Sequence, residues 1–250
     1  APSGTVVPST VGAPASELTL AGLLKQANYH TVHIGNWHVG GESGMAAHEQ
    51  GFDESLLMAN GLYLPVDHPG VVNARQEFDP IDRFLWRVMK HAASFNGGDV
   101  FAPAGYVTDY YTDEAVKVIE ANADRPFFLY LAQWAPHTPL QATREDYEAL
   151  SHIADPRMRV YAAMIRALDR GVGRVLDALR AHGLEENTLV FFSSDNGAPN
   201  YIGLPDVNRP FRGWKITFFE GGIRVPYFLK WPARIAAGRG LKAATRPSSR

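Results

Sequence analysis

Hydrophobic residues follow two alternating rhythms along this chain. One has the spacing of amphipathic helices. Leu20, Leu23, Leu24 and Ala27 share a helical face behind Thr19, whose hydroxyl suits an N-cap. Thr112 opens a second predicted helix, with Asp113 and Glu114 in its first turn, where carboxylates favour the helix dipole, and Ala115, Val116, Val118 and Ile119 inside. A third and longer helix is predicted over roughly 156–182 from the stripe Val160, Met164, Leu168, Val172, Val175 and Leu179. Gly183 follows it, in the left-handed position common after helices. The other rhythm is a set of short apolar runs: His30–Gly35, Pro126–Leu131, Thr188–Ser194 and Tyr227–Lys230. Rich in β-branched and aromatic residues, they read as strands, Pro126–Leu131 and Thr188–Ser194 as buried ones.

Helices alternating with such strands predict an α/β fold, a mostly parallel sheet sandwiched by helices. Residues 42–105, with many Gly, Pro, Asn and His and weak periodicity, are expected to make a long excursion across the top of the sheet. Residues 1–16 are small and aperiodic, and residues 236–250 are basic without an aromatic residue; both are expected to be loosely packed around a core at 17–235.

Composition narrows the function classes. With 24 basic and 26 acidic residues the formal net charge is -2, which gives no general attraction to nucleic acid or to an anionic membrane. The absence of cysteine excludes disulfides, thiolate metal sites and a cysteine nucleophile within these 250 residues. No run approaches the roughly 20 apolar residues of a membrane span. Ala1–Thr5 shows neither the basic region nor the apolar core of an intact signal peptide.

Three predicted strands end in polar chemistry: the first in His38, the second in His137, the third in Asp195 and Asn196. Parallel strands deliver their C-terminal ends to one edge of a sheet, so these groups are expected in one crevice. Asp195 and Asn196 offer hard oxygen donors suited to calcium or magnesium, although an Asn-Gly turn with a capping Asp uses the same residues. Lys215 arrives on a Gly-flanked loop. Two histidines, a lysine and an oxygen-bound cation suit a tetrahedral oxyanion, and a histidine can protonate a leaving oxygen. Taken singly, each has a plainer reading: His38 holding a turn, His137 capping a loop, Lys215 a solvated charge. The glycines of Glu220–Pro226 read as backbone architecture.

Four segments in order, TLAGLLKQANYHTVHIGNWHVGG, PFFLYLAQWAPHTPLQ, LVFFSSDNGAP and PFRGWKITFFEGGIRVPYFLKWPARI, resemble the sulfatase family of the alkaline phosphatase superfamily. The resemblance runs from about residue 17 to 235. It implies that Asp195 and Asn196 are calcium ligands and that His38 assists the nucleophile. It further implies that His137 lies near the sulfate and leaving group, a candidate general acid, and that Lys215 binds a sulfate oxygen. The implied reaction is calcium-dependent hydrolysis of a sulfate ester at a formylglycine hydrate. The implied substrate is a sulfated small molecule or sulfated carbohydrate, and the family works in periplasmic, secreted or lysosomal settings.

Three departures stand out. The formylglycine segment, Cys- or Ser-x-Pro-Ser-Arg, is absent, and residues 1–16 hold no Asp-Asp pair to complete the calcium site. Asn36 occupies the place of a sulfate-binding lysine, where it can donate a hydrogen bond but no charge. The resemblance therefore implies a sulfatase core incomplete at both ends, the middle of a longer protein. A phosphodiesterase or phosphonate hydrolase of the same superfamily, and a non-catalytic binder of anionic ligands, remain alternatives. Specificity is expected from the 42–105 excursion, where Tyr63, Phe84, Trp86, Phe101 and Tyr106 could stack on a ring, and from Tyr201–Asp206.

Overall fold

The computed structural model describes residues 12, 14, 16–40 and 44–240; most of the predicted loose N-terminal segment, and the tail beyond 240, lie outside them. In chain order the elements are α1 (Leu20–Gln26), β1 (His30–Gly35), β2 (Glu54–Met58), β3 (Val71–Asn73), α2 (Pro80–Val88), β4 (Ala93–Phe95), β5 (Val100–Phe101), α3 (Val107–Ala121), β6 (Phe127–Ala132), β7 (Gln141–Thr143), α4 (Arg144–Ala149), α5 (Pro156–Ala181), β8 (Val190–Ser193), α6 (Glu220–Ile223) and β9 (Tyr227–Lys230).

A five-stranded sheet with the order β5-β4-β2-β1-β6 organises the molecule. β1 pairs in parallel with β2 and with β6, placing Gly35 opposite Leu57 and Ala132. β4 and β5 extend the sheet antiparallel. The α/β expectation holds, and the sheet is mixed: parallel across β2, β1 and β6, antiparallel from β2 through β4 to β5. Alternate residues of β1 face opposite layers. Val32 and Ile34 join the main core with Tyr111 and Ala115 of α3 and with Val160, Ala163, Met164 and Ala167 of α5. Burying a side chain such as Met164 contributes about 1.5–3 kcal/mol. His33 faces the other way, inside a cage of Trp37, Phe52 and Tyr130, with ring centroids 5.2, 5.3 and 5.2 Å away.

The long helix is where its stripe puts it. Asp155 caps α5 by accepting from Met158 N at 2.7 Å, Pro156 occupies the first turn, and Gly183 follows at φ 69°. Arg170 of α5 bridges Asp146 of α4 at 2.7 Å and Asp109 of α3 at 3.1 Å, tying three helices together.

Several expectations give way. α3 begins at Val107, not Thr112, because Val107 and Tyr111 extend its buried stripe; Asp109 is then its first-turn acid. α1 has the predicted Thr19 cap, but Leu20 and Leu23 are exposed. Its small face makes the contact instead: Ala21 is buried, and a Cβ on Gly51 would fall 2.4 Å from Gly22 N. Residues 42–105 form three short strands of the main sheet, β3 and a helix, their glycines and prolines falling mostly in the turns between. The run ending in Asp195 is not a buried parallel strand: β8 pairs antiparallel with β9, Phe192 opposite Phe228, and is only partly buried. An apolar run marks a strand without marking its partner's direction, and here the chain returns beside itself. Among the described residues β6 is likewise an edge strand, with Tyr130 exposed.

Two outcomes follow. An alanine Cβ at Gly171 would meet Thr112 Oγ1 at 2.6 Å, whereas one at Gly173 meets nothing within 4 Å. In urea unfolding, Gly171→Ala is expected to destabilise by about 1–3 kcal/mol and Gly173→Ala to stabilise by about 0.5–1 kcal/mol; equal effects would contradict the α3–α5 packing. Burial brings the His33 pKa down from 6.5 to about 4, against a single opposing hydrogen bond to the Asn36 carbonyl. Only the unfolded chain takes up that proton between these values, so stability present above about pH 6.5 is lost as pH falls toward about 4, by up to roughly 3 kcal/mol. Urea unfolding across this range is expected to show a flatter profile for His33→Phe than for the parent.

Candidate active site

Parallel pairing carries β1 and β6 to the same edge and continues one step past the strands, with Asn36 N donating to Ala132 O at 2.8 Å. From there one chain runs into Trp37-His38 and the other into Trp134-Ala135-Pro136-His137. His38 is exposed, and His137 and Asn36 are half-buried. His137 Nδ1 lies 2.8 Å from the Thr138 carbonyl, which can only accept, so Nδ1 carries the proton of the neutral ring. Nε2 therefore presents a lone pair, and Lys215 Nζ sits 3.3 Å from it. Burial foremost brings the His137 pKa from 6.5 to about 4; Lys215 and His38 push the same way, against the Thr138 carbonyl and Asp195. His38 and Asp195 are thus both close enough for their charge to act on His137.

The sequence alone does not show that Trp134 and Tyr63 support His137. Trp134 stacks on its ring at 3.8 Å between centroids and donates through Nε1 to Gly61 O at 3.0 Å. Tyr63 donates its hydroxyl to His137 O at 3.0 Å, and its own backbone N–H is held by Gln141 Oε1 at 2.8 Å. Tyr63 and Tyr106 are buried and stacked on each other, so they are supports for the loop and not platforms for a ligand ring. The apolar run before His137 gives a local hint of Trp134, three residues upstream; Tyr63 lies 74 residues away and has no local signal.

The other half of the site is set by glycines. Gly197 N donates to Gly222 O at 3.0 Å, and a Cβ on Gly197 would fall 1.8 Å from Gly221 O. Gly221 N in turn donates to Arg212 O at 2.7 Å. This crossing brings the Asp195–Gly197 turn beside the Lys215 loop, and Lys215 N bonds Ala198 O at 3.2 Å. Asn208, also unmarked in the sequence, ties both loops: its side chain accepts from Ala198 N at 3.0 Å and donates to Ala198 O at 2.7 Å and Gly213 O at 3.3 Å. Ile216, next to Lys215, holds φ 72°, a conformation that costs a β-branched residue about 1–2 kcal/mol and that the surrounding turn imposes.

Asp195 and Asn196 satisfy each other in a tight turn. Asp195 accepts from Asn196 N at 2.9 Å and from the Asn196 carboxamide. Their donor chemistry suits calcium, but their number does not. Calcium takes about 6–8 oxygens, and among the described residues no group of three or more His, Asp or Glu is placed to hold a metal. A cation here needs ligands from outside these residues. The structure thus brings His38, His137, Asp195 and Lys215 together, with Asn36 and Asn196 at the same edge.

A family model for sulfatases matches residues 2–249. N-acetylgalactosamine-6-sulfatase of Mus musculus is 34% identical over 239 residues, covering 91% of this chain and 42% of the mouse protein. Arylsulfatase J of Mus musculus is 32% identical, covering 88% and 35%. Among solved structures, that of Ps i-CgsB in complex with k-i-k-neocarrahexaose superimposes with a TM-score of 0.74 at 33% identity, over 92% of this chain and 51% of that one. The chain spans about half or less of the length of the relatives it matches. With a family match over nearly its whole length, the chain belongs to the sulfatase family.

Proposed function

We propose that these residues supply the leaving-group side, the sulfate-binding lysine and half of the cation site of a sulfuric ester hydrolase acting on sulfated carbohydrate. The observation that carries this reading is the pair of Lys215 Nζ and His137 Nε2, 3.3 Å apart and within electrostatic reach of Asp195. The ammonium offers charge to a sulfate oxygen. A sulfate ester between the two draws Lys215 away from Nε2, and its negative charge makes protonation of His137 easier. The protonated Nε2 is then placed to pass its proton to the departing alkoxide. The names of the relatives, and the oligosaccharide bound to Ps i-CgsB, support a carbohydrate ester.

Calcium, held by Asp195 and Asn196 with ligands from elsewhere, would supply positive charge beside the sulfate. The nucleophile is not among these 250 residues: there is no cysteine, and no Ser-x-Pro-Ser-Arg or Ser-x-Ala-Ser-Arg segment. Cleavage of a phosphodiester or phosphonate on the same frame is the second reading. Asn36, uncharged where the family resemblance has a lysine, favours the less charged sulfate ester.

Release of sulfate from an aryl sulfate with calcium present tests the proposal. In a longer polypeptide that joins these residues to a Cys-x-Pro-Ser-Arg segment, His137→Ala is expected to lower kcat by about 10²–10⁴. Lys215→Ala is expected to lower kcat/KM by about 10²–10³. Undiminished turnover in both variants would remove these residues from the reaction, and faster cleavage of a phosphonate ester would favour the second reading. The 250-residue chain alone is expected to release no sulfate; if it binds a sulfated sugar tightly while the longer polypeptide also fails to turn over, the non-catalytic reading replaces the hydrolase.

A further inference from the structure

A cavity of about 270 Å³ lies between α2 and residues 75–77, away from His137 and Lys215. Arg75, Arg83 and Arg87 line it together with Trp86. None of the three arginines has a carboxylate within ion-pair distance among the described residues. Arg75 lies over the Trp86 ring at 5.0 Å and Arg87 over Phe84 at 5.8 Å. A guanidinium that uses its face on an aromatic ring keeps its in-plane N–H donors free, the fork that matches two oxygens of a sulfate or carboxylate. The Arg83 side chain is exposed and makes no contact of any of these kinds.

The cavity is built, not a loose surface patch. Asp82 is 3% exposed, accepting from Gln76 N at 2.6 Å and Trp86 Nε1 at 2.9 Å through one oxygen. Its other oxygen has no hydrogen bond and stands 3.7 Å from Arg157 Nη2, which also has none. Among the residues that line it, three arginines face two carboxylates, Asp82 and Glu77, leaving the pocket one charge positive in a chain whose overall charge is negative.

The pocket is mechanically joined to the active-site loop. Gln76 Nε2 donates to Tyr201 O at 2.8 Å, and Arg157 donates to Ala74 O at 2.7 Å and to Ile202 O. Tyr201 is five residues from Asn196, so their Cα atoms are at most about 18 Å apart. The pocket is thus fixed to the same short segment that leads back to Asn196.

Resting on the sulfatase reading, we infer that the Arg75-Arg83-Arg87-Trp86 pocket is a second anion subsite. It holds a sulfate or carboxylate group on a neighbouring sugar of the chain whose reacting ester lies at His137 and Lys215. The enzyme then selects polyanionic oligosaccharides over singly sulfated sugars.

Calorimetric titration of the 250-residue chain with k-i-k-neocarrahexaose, a monosulfated aryl ester and inorganic sulfate tests this without requiring turnover. Arg75→Ala and Arg83→Ala are each expected to weaken hexasaccharide binding about tenfold and to flatten its salt dependence. Aryl ester binding should be unchanged, and Arg83→Lys should restore part of the loss. Lys215→Ala should weaken both ligands. Circular dichroism of each variant guards against unfolding, which these exposed positions are not expected to cause. The subsite is overturned if the parent does not bind the hexasaccharide, if the arginine variants bind it as the parent does, or if they lose the aryl ester equally. Loss of hexasaccharide binding alone, together with absent aryl sulfate hydrolysis by the longer polypeptide, would leave the subsite standing and remove the hydrolase reading.

Discussion

Where Gly197 passes Gly221 and Gly222, two backbones lie closer than any side chain allows, joined by a hydrogen bond of 3.0 Å from Gly197 N to Gly222 O. The rest of the site hangs on that crossing. It holds the turn after β8 that carries Asp195 and Asn196 beside the loop of Lys215, brings Lys215 N against Ala198 O, and sends β9 back along β8. A single methyl group at Gly197 would have to displace the α6 backbone and, with it, the loop that carries Lys215. The glycines that looked like architecture in the sequence are architecture, and the chemistry is placed by them.

Electrostatics then act on what the backbone has set. His33 and His137 are both pulled to a pKa of about 4, chiefly by burial, yet their surroundings differ. His33 is closed in by three aromatic rings, has one ring nitrogen without a partner, and belongs to the packing of β1. His137 has its Nδ1 proton pinned by Thr138, its Nε2 lone pair turned toward Lys215, and Asp195 within electrostatic reach. The same desolvation belongs to packing in one place and, under the proposed function, readies a proton acceptor in the other. The difference lies in whether the second nitrogen is left without a partner among aromatic rings or meets a charged side chain.

The segment from Asn196 to Ile202 is held by side chains from distant parts of the chain. At one end lies the oxygen-donor pair, which these residues leave short of a full calcium shell. At the other end Gln76 and Arg157 grip the backbone and connect it to the arginine-lined cavity. Under the function and subsite proposed above, both sites are fixed to one short loop, which would tie recognition of a second charged sugar to the position of the reacting ester.

Local patterns in the sequence determined much of this. The α5 stripe with its Asp155 cap and Gly183 stop, the β1 and β6 runs, and the delivery of His38 and His137 to one edge all depend on contacts within a few residues or on the general geometry of parallel strands. The order of the four family-like segments pointed to the sulfatases for the same reason. What depends on distant partners was decided only by the tertiary structure. β8 found β9 instead of the parallel sheet, because apolar runs carry no direction. α1 buried Ala21 and not Leu20 or Leu23, because Gly51 admits only a small face. Tyr63, a candidate ligand platform by type, became the buried support of His137 across 74 residues. Asn208 and the Arg75–Trp86 pocket gained their roles from loops that meet only after folding. A residue's chemistry is written in its side chain, but the dielectric and the neighbours that give it a task are supplied by chain segments far from it in sequence.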